Sequence, residues 1–474
     1  MNMIDVFDRA AAWQPDSLCW ADGSTGVTYM QARAIVDRLA GGLAGFSVSP
    51  GDRIALIAPD SVRLLALIVA CWRVGAMPCL IDPRSAPHET RDLLDRIQPR
   101  LVVSAADVPW ENGTVSIDDK KLTNGSPAKT QHSETSPLFC STTSGTTGAP
   151  KLAVLQSGPV TSATASIADR INLRRNDVLI ATTPTSSSFQ LVSSVLPALH
   201  VGAAVVLMSG DGAAGAAAAL ADGLGTALVG YPLTLGDFAA LSAPDGLRLA
   251  LSGGSPLAPR LKVEYREQLG VPLVESYGMS ELGGFVALGR PGESESPLRG
   301  AVGQPMPDRP VVIVDLDGQE LGAGEPGEVT VTEGWMSGYL SDVEATTRAT
   351  RGGVLHTSDV GVFDQDRNLM VLGRLSDQVP ANVPEAYPRM WEDALHDHPD
   401  VLHAAVITTE QGHTGFVQSR PGRTVDATDV MSHLKKVSAY SALHAMVVLT
   451  QMPRTFSGKV DRRALAARSR GEGV

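Results

Sequence analysis

Two kinds of hydrophobic pattern alternate over the first hundred residues. Segments of helical length with apolar residues along one stripe alternate with short runs that are apolar throughout, as expected of amphipathic helices and buried strands. Strands separated by helices in this way build a parallel sheet covered by helices. In chain order, we predict helix 29–45, strand 53–58, helix 61–75, strand 77–81, helix 86–97 and strand 101–104.

A second block with the same alternation follows a polar stretch, residues 111–136, which separates the two blocks. The alanine-rich run 212–221 inside it predicts a surface helix, because alanine has the highest helix propensity. The predicted strands of this block are 178–181, 203–208, 227–229 and 247–252. The pattern therefore favours an α/β fold with helix-flanked sheets.

The pattern changes in the last third of the chain. Residues 291–299 are rich in Gly, Pro, Ser and Glu and predict a loop. Short strands with turn residues between them follow at 311–315, 328–331 and 369–372 and predict a small β-rich subdomain. The last hundred residues predict a compact α+β unit, with helix 387–398, strand 403–408, helix 427–437 and strand 445–449.

Composition and charge narrow the classes of function. The chain has 474 residues and is 43% hydrophobic, which is enough for about two to four domains with a large core. A formal net charge of -12 argues against nucleic acid or an anionic membrane as partner. Four cysteines without Cys-x-x-Cys spacing indicate neither a zinc site nor a disulfide framework. With neither a secretory signal nor a membrane-spanning run in the sequence, we expect a cytoplasmic protein.

The segment Ser141–Lys151 limits the function most. Its glycines let the backbone approach a ligand closely, its hydroxyls can donate to anionic oxygens, and Lys151 adds a positive charge, which suits a polyphosphate. It lacks the ending of a Walker loop, so ordinary kinase or GTPase chemistry is disfavoured. A flexible linker is the alternative, although linkers rarely end in Gly-x-Pro-Lys before an apolar run. The candidate phosphate-binding residues are Thr142, Thr143, Ser144, Gly145, Thr146, Thr147, Gly148 and Lys151.

A second motif, residues 275–281, follows a predicted strand and combines an aromatic residue, a glycine and a carboxylate in a tight turn. Tyr277 can stack on a purine, and Glu281 can bind the hard cation that bridges ATP phosphates. Alone, the motif would indicate only a turn with a core tyrosine and a surface glutamate. Its order after the phosphate loop favours nucleotide binding, and we assign Gly278 and Ser280 to the same site.

The phosphate loop and this motif closely resemble those of the adenylate-forming superfamily, which contains acyl- and aryl-CoA synthetases, peptide-synthetase adenylation domains and luciferases. Three further motifs resemble the same superfamily, and the resemblance covers essentially the whole chain. It implies a turn beside the adenine, a ribose-binding pair and a catalytic lysine. The turn consists of Gly253, Gly254 and Ser255, and the ribose-binding pair is Asp359 and Arg374. The catalytic lysine is Lys459, within the segment 453–463.

The resemblance also implies an architecture and a reaction. A body, residues 1–374, would bind acid and ATP, and a small mobile lid, residues 375–474, would carry Lys459. A carboxylic acid and MgATP would give acyl-AMP and pyrophosphate, and the acyl group would pass to CoA. Lys459, Lys151 and Glu281 would be catalytic, with Glu281 as the magnesium ligand. We expect Lys459 to neutralise charge that builds up at the α-phosphate.

The chain departs from the superfamily pattern outside the nucleotide site. Ser358 stands where glycine is usual, and Ser376 occupies the hinge position that normally carries Asp or Lys. Asn382 and Val383 stand where two glycines normally help to form the tunnel for the pantetheine thiol. Side chains there would narrow a backbone-lined tunnel, unless the loop takes another path.

The predicted acid pocket departs at two positions from the patterns of the superfamily. Ser187 stands where many acyl and aryl ligases carry histidine, and Gln190 where peptide-synthetase domains carry an aspartate for the α-ammonium. Because a buried ammonium needs a paired charge, the sequence disfavours a free α-amino acid and favours an aryl, acyl or hydroxy acid. The residues assigned to the pocket are Ser187, Phe189, Gln190 and Met279.

Two alternatives to a CoA ligase stay open at this point. The same adenylating step can deliver its acyl group to an amine or to a carrier-protein thiol. A nucleotide-binding protein without turnover is a third interpretation. The presence of Glu281, Asp359, Arg374 and Lys459 together disfavours it.

Overall fold

Four β-sheets organise the part of the chain that the computed structural model describes, which is residues 1–106, 108–110, 113–126, 133–143, 150–241, 246–293, 300–377, 382–409, 412–438 and 441–470. The strands are β1 (Leu18–Ala21), β2 (Gly26–Thr28), β3 (Arg53–Ile57), β4 (Met77–Leu80), β5 (Leu101–Ser104), β6 (Thr114–Ser116), β7 (Pro137–Thr142), β8 (Leu152–Gln156), β9 (Val178–Ala181), β10 (Ala204–Leu207), β11 (Ala227–Gly230), β12 (Leu249–Ser252), β13 (Leu273–Met279), β14 (Gly284–Leu288), β15 (Val311–Val314), β16 (Gly327–Val331), β17 (Gly338–Tyr339), β18 (Leu355–Phe363), β19 (Leu369–Arg374), β20 (Val401–Thr409), β21 (Gly412–Ser419) and β22 (Leu443–Leu449).

The α-helices of the same residues precede, separate and follow these strands. They are α1 (Met3–Trp13), α2 (Tyr29–Gly45), α3 (Val62–Arg73), α4 (Pro87–Ile97), α5 (Lys120–Thr123), α6 (Ser157–Arg170), α7 (Ser188–Gln190), α8 (Leu196–Val201), α9 (Gly212–Ala221), α10 (Pro232–Ala239), α11 (Pro259–Gln268), α12 (Val343–Ala349), α13 (Pro388–His396), α14 (Ala427–Val437) and α15 (Arg462–Ser469). The predicted helices 29–45, 212–221 and 427–437 coincide with α2, α9 and α14.

The two large sheets correspond to the two predicted blocks and confirm the α/β class. One has the order β17-β8-β7-β4-β3-β5-β6, and the other has the order β14-β13-β12-β11-β9-β10-β1-β2. Where strands β9 to β13 pair with one another, they are parallel. Strand β3 is likewise parallel to both β4 and β5. Strand β1 precedes the first predicted block yet pairs with β10 in the second sheet. The polar stretch between the blocks also contributes an edge strand, β6, which pairs with β5.

Helix α3 shows how the sequence builds this core. All of its residues except Arg63 are buried, as expected of a helix that is apolar around its circumference. Trp72 donates from Nε1 to the backbone oxygen of Leu138 in β7 at 2.6 Å, which fixes the helix against the sheet. At the end of the helix, Arg73 is ion-paired with Asp8 at 2.6 Å, so its buried charge is compensated.

The β-rich subdomain is confirmed as the antiparallel sheet β15-β16-β18-β19. Asp359 in β18 is the register partner of Arg374 in β19, so the predicted ribose-binding pair lies side by side. Ser358 has a φ of 59°, in the left-handed region that glycine adopts without strain. Serine therefore keeps here the backbone conformation for which the superfamily uses glycine.

The sheet β20-β21-β22 with α13 and α14 forms the C-terminal α+β unit. It contacts the preceding part of the chain, for example where Arg389 donates from Nη2 to the backbone oxygen of Leu257 at 2.6 Å. We keep the names body and lid for residues 1–374 and 375–474; that boundary stays a prediction. Of the predicted loop 291–299, residues 294–299 lie outside the described part. None of the helices described above is long and apolar enough to cross a membrane.

Candidate active site

The phosphate-loop segment lies between two strands that pair with each other. Strands β7 and β8 pair antiparallel and end at Thr142 and Leu152. Beyond them, the backbone N–H of Thr143 donates to the oxygen of Lys151 at 2.8 Å, and the N–H of Lys151 donates to Oγ1 of Thr143 at 3.1 Å. Thr143 and Lys151 therefore close the neck of the loop. Five candidate residues, Ser144, Gly145, Thr146, Thr147 and Gly148, lie outside the described residues.

A tyrosine joins the two groups predicted to act on the phosphates. Tyr339 donates from its hydroxyl to Oε1 of Glu281 at 2.7 Å, and the Nζ of Lys151 lies 4.8 Å from the centroid of its ring. Tyr339 belongs to β17, which pairs with β8 next to Lys151. Ser280 donates to the backbone oxygen of Thr142 at 3.1 Å, so the two motifs are in direct contact.

The ribose-binding pair and the predicted purine-stacking residue form one cluster. Tyr277 donates from its hydroxyl to Oδ2 of Asp359 at 2.6 Å, and Arg374 lies 2.9 Å from Oδ1. Burial raises the pKa of Asp359, while the charge of Arg374 and the hydrogen bond from Tyr277 oppose that rise. Each carboxylate oxygen thus has a partner within the protein.

Glycines after β12 and within β13 leave no room for side chains. A Cβ on Gly253 would lie 2.7 Å from Cε2 of Phe189, and one on Gly278 would lie 2.5 Å from the backbone oxygen of Gly284. A Cβ on Gly254 would lie 2.7 Å from Cε1 of Tyr231. Ser255 follows as a half-buried residue. This turn therefore depends on the absence of side chains.

Lys459 reaches the same turn from the lid. Its Nζ lies 5.1 Å from the centroid of the Tyr231 ring and 3.3 Å from the position that a Cβ would take on Gly254. Burial, with a smaller contribution from the charge of Arg374, lowers the pKa of Lys459 to about 8. Because this pKa lies above 7, Lys459 keeps its positive charge at neutral pH, although burial and the charge of Arg374 disfavour it.

The residues assigned to the acid pocket lie beside Tyr231. Ser187 and Tyr231 share a hydrogen bond between their hydroxyls at 2.7 Å, and Phe189 stacks on Tyr231 with ring centroids 5.3 Å apart. Gln190 is fully buried; its Oε1 accepts from Thr183 at 2.6 Å, and its Nε2 has no hydrogen-bond partner among the residues that the structure describes. Met279, at the end of β13, is half-buried.

Topology explains why these distant residues meet. Strands β11, β12 and β13 are adjacent and parallel, so their carboxyl ends lie at one edge of the sheet. Tyr231 and Gly253 stand just beyond the ends of β11 and β12, and Tyr277 lies in β13 two residues past its parallel pairing with β12. Ligands of open α/β sheets bind at this edge. The sequence analysis missed Tyr231. Its position just after a predicted strand is the signal that could have identified it.

Similarity to known proteins agrees with this geometry. A sequence model of the AMP-binding enzyme family matches residues 7–340. The chain belongs to this family. An indoleacetate–CoA ligase of Aromatoleum aromaticum is 28% identical over 505 aligned residues, which cover 99% of each chain. The predicted adenylate-forming superfamily and the predicted enzyme class, an AMP-forming acid ligase, are therefore confirmed.

Solved structures share the fold of this family member over nearly its full length. An anthranilate CoA ligase in complex with anthranoyl-AMP superimposes with a TM-score of 0.89 at 20% identity, covering 99% of this chain and 97% of that one. An O-succinylbenzoate coenzyme A synthetase of Bacillus subtilis, in complex with ATP and a magnesium ion, gives a TM-score of 0.83 at 23% identity, covering 97% and 99%. At these identities the likeness concerns the fold.

Proposed function

We propose that this enzyme activates an aromatic carboxylic acid with MgATP and transfers the acyl group to the thiol of CoA. The observation that carries the proposal is the position of Lys459 over Gly254 and Tyr231, where the strand ends bring the acid pocket and the nucleotide motifs together. A positive charge at this point suits a reaction between two anions, a carboxylate and a phosphate.

In the proposed first step, a carboxylate oxygen attacks the α-phosphorus of MgATP. The carboxylate oxygen forms a bond to the α-phosphorus, and the bond between the α-phosphorus and the oxygen of the departing pyrophosphate breaks. Lys459 would stabilise charge at the α-phosphorus, and Lys151 would stabilise the departing pyrophosphate. Glu281 would supply one ligand to the magnesium of the substrate, which suits an ion that takes few ligands from protein and the rest from phosphates and water.

The nucleoside would be held by the cluster of Tyr277, Asp359 and Arg374. Tyr277 would lie against the purine, and Asp359 would accept from the ribose hydroxyls. Because Asp359 already accepts from Tyr277 and pairs with Arg374, its carboxylate is oriented before the nucleotide arrives. The turn of Gly253, Gly254 and Ser255, together with Gly278, would lie beside the adenine.

The aromatic class of acid is favoured by the rings beside Lys459. Phe189 stacks on Tyr231 and lies 6.0 Å from Phe285 between ring centroids, so the pocket offers flat apolar surfaces. Gln190 is uncharged, which disfavours a free α-amino acid. The curated relative named above is a ligase of indoleacetate, which is an aromatic acid.

An amine is the second candidate acceptor, and residues 382 and 383 favour it. Asn382 accepts from the hydroxyl of Tyr387 at 3.2 Å and donates from Nδ2 to the backbone oxygen of Pro326 at 3.4 Å. A side chain held in this way, where the superfamily pattern has glycine, would narrow the space for a thiol. A carrier protein would need a route of similar width for its own thiol.

A screen of pyrophosphate release separates these functions. Aryl, short acyl and hydroxy acids are each incubated with MgATP and either CoA, hydroxylamine or neither. Release that needs one aromatic acid and CoA supports the proposal, and release with hydroxylamine but not CoA supports an amine or carrier-protein acceptor. Absence of ATP–pyrophosphate exchange with every acid would support a nucleotide-binding protein without turnover.

A further inference from the structure

Asp237, outside every motif considered so far, joins the body to the lid. It lies in α10, and both of its carboxylate oxygens contact residues of the lid. His403 Nε2 lies 2.8 Å from Oδ1, and Arg454 Nη2 lies 2.5 Å from Oδ2. The side chain of His403 is only 3% exposed, whereas that of Asp237 is 32% exposed, so this contact lies at the edge of the interface.

Arg454 is linked rigidly to Lys459. The two residues stand at the ends of one tight turn, in which the N–H of Thr455 donates to the oxygen of Lys459 at 2.8 Å and the N–H of Gly458 donates to the oxygen of Thr455 at 2.9 Å. A β-bridge between Arg454 and Val460 closes the same turn. A displacement of Arg454 therefore moves Lys459.

One segment of the body, residues 231–237, contacts this turn at two points. Tyr231, against which Lys459 lies, immediately precedes α10, and Asp237 lies near the other end of that helix. We propose that Asp237 is a positioning residue for adenylation, which acts through Arg454 and His403 to hold Lys459 over Tyr231 and Gly254. The inference rests on the proposed role of Lys459.

Close packing next to Asp237 points the same way. A Cβ on Gly236 would lie 2.7 Å from Cε1 of His403, so the helix meets the lid without room for a methyl group. The carboxylate is ionised in this setting: burial opposes ionisation, but the hydrogen bond and charge of His403 and the charge of Arg454 hold the pKa of Asp237 below its usual value.

The test measures the two half-reactions separately in Asp237→Asn, with the acid found in the screen. ATP–pyrophosphate exchange reports adenylation, and synthetic acyl-AMP with CoA reports transfer. We expect the maximal exchange rate to fall on the order of 10- to 100-fold, as for a displaced catalytic group, with KM for ATP and acid within about twofold. Transfer from supplied acyl-AMP is expected to stay at or above the wild-type rate.

Glu264→Gln is the matched control, because Glu264 pairs with Arg420 of the lid at another point of the interface. We expect it to leave exchange within about twofold of wild type, because neither Glu264 nor Arg420 belongs to the turn that carries Lys459. Equal losses in both variants, or in both half-reactions of Asp237→Asn, would reduce Asp237 to a general interface contact and overturn the inference.

Two further readouts extend the test: one uses a second variant, and the other needs no turnover. Gly236→Ala raises helix propensity but pushes His403 away, so we expect the same selective loss of exchange without a lower Tm. The pH at which acetic anhydride half-labels Lys459, followed by mass spectrometry, is expected near 8 in wild type and higher in Asp237→Asn. An unchanged midpoint contradicts the inference even if no acid supports exchange, whereas absent exchange with a shifted midpoint contradicts only the proposed function.

Discussion

The Nζ of Lys459 lies 3.3 Å from where a Cβ would stand on Gly254. This closeness predicts that Gly254→Ala displaces the lysine, since the same Cβ would also lie 2.7 Å from the Tyr231 ring. We expect kcat for adenylation to fall on the order of 100-fold, because a shift of about 1 Å at a reacting centre has that effect. ATP–pyrophosphate exchange at saturating substrates measures it.

Gly223→Ala is the control for this substitution. Gly223 has a φ of 71°, against 72° for Gly254, but no atom lies within 4 Å of the position of its Cβ. Both variants therefore carry the same backbone strain, roughly 1–2 kcal/mol, and only one meets Lys459. Equal activity of the two variants would show that the contact with Lys459 has no consequence.

The pH dependence of adenylation follows from the lowered pKa of Lys459. The lysine is active when protonated, so activity is present below a pH of about 8 and is lost as the pH rises through that value. We expect kcat/KM for exchange, which reports the free enzyme, to show a basic limb near that pH. An ordinary lysine would place the limb about two pH units higher.

Arg374→Gln tests the cause of that shift. Removing the positive charge should move the basic limb upward, because Arg374 disfavours a second cation at Lys459. The overall rate is also expected to fall, since Arg374 belongs to the proposed ribose site, so the position of the limb is the measurement. A limb that stays in place would exclude Arg374 as a cause.

Tyr339→Phe removes the hydroxyl that donates to Glu281 and keeps the ring beneath Lys151. Losing the partner of a metal-binding carboxylate typically weakens metal affinity on the order of 10-fold. We expect the magnesium concentration for half-maximal exchange to rise by that factor, with AMP binding in the absence of magnesium unchanged. A variant with the wild-type magnesium dependence would separate Tyr339 from the metal site.

Local patterns were enough to predict most of the fold and the motif residues. Helix α2 coincides with its predicted range because its apolar stripe is regular and Thr28 and Gln31 form a capping box at its start. The resemblance predicted Asp359 and Arg374 as a pair, and the register of β18 and β19 places them side by side, while their role at the ribose stays a prediction. Such features depend on residues that are close in sequence.

Contacts between distant segments could not be predicted in this way. Tyr339 reaches Glu281 only because β17 pairs with β8, and a two-residue strand has no periodic pattern. Asp237 lies in an ordinary amphipathic helix, and its partners His403 and Arg454 belong to the lid. The pairing of β1 with β10 likewise depends on the sheet as a whole.

The most direct test of the account is adenylation by Lys459→Ala. We expect a loss on the order of 100- to 1,000-fold in the maximal rate of exchange, about 3–4 kcal/mol, with ATP affinity nearly unchanged, because the charge acts at the transition state. Arg468→Ala, which removes an exposed charge of the same C-terminal region, is expected to behave as wild type. Near-normal exchange in Lys459→Ala, or equal losses in both variants, would contradict the role of Lys459 on which the account depends.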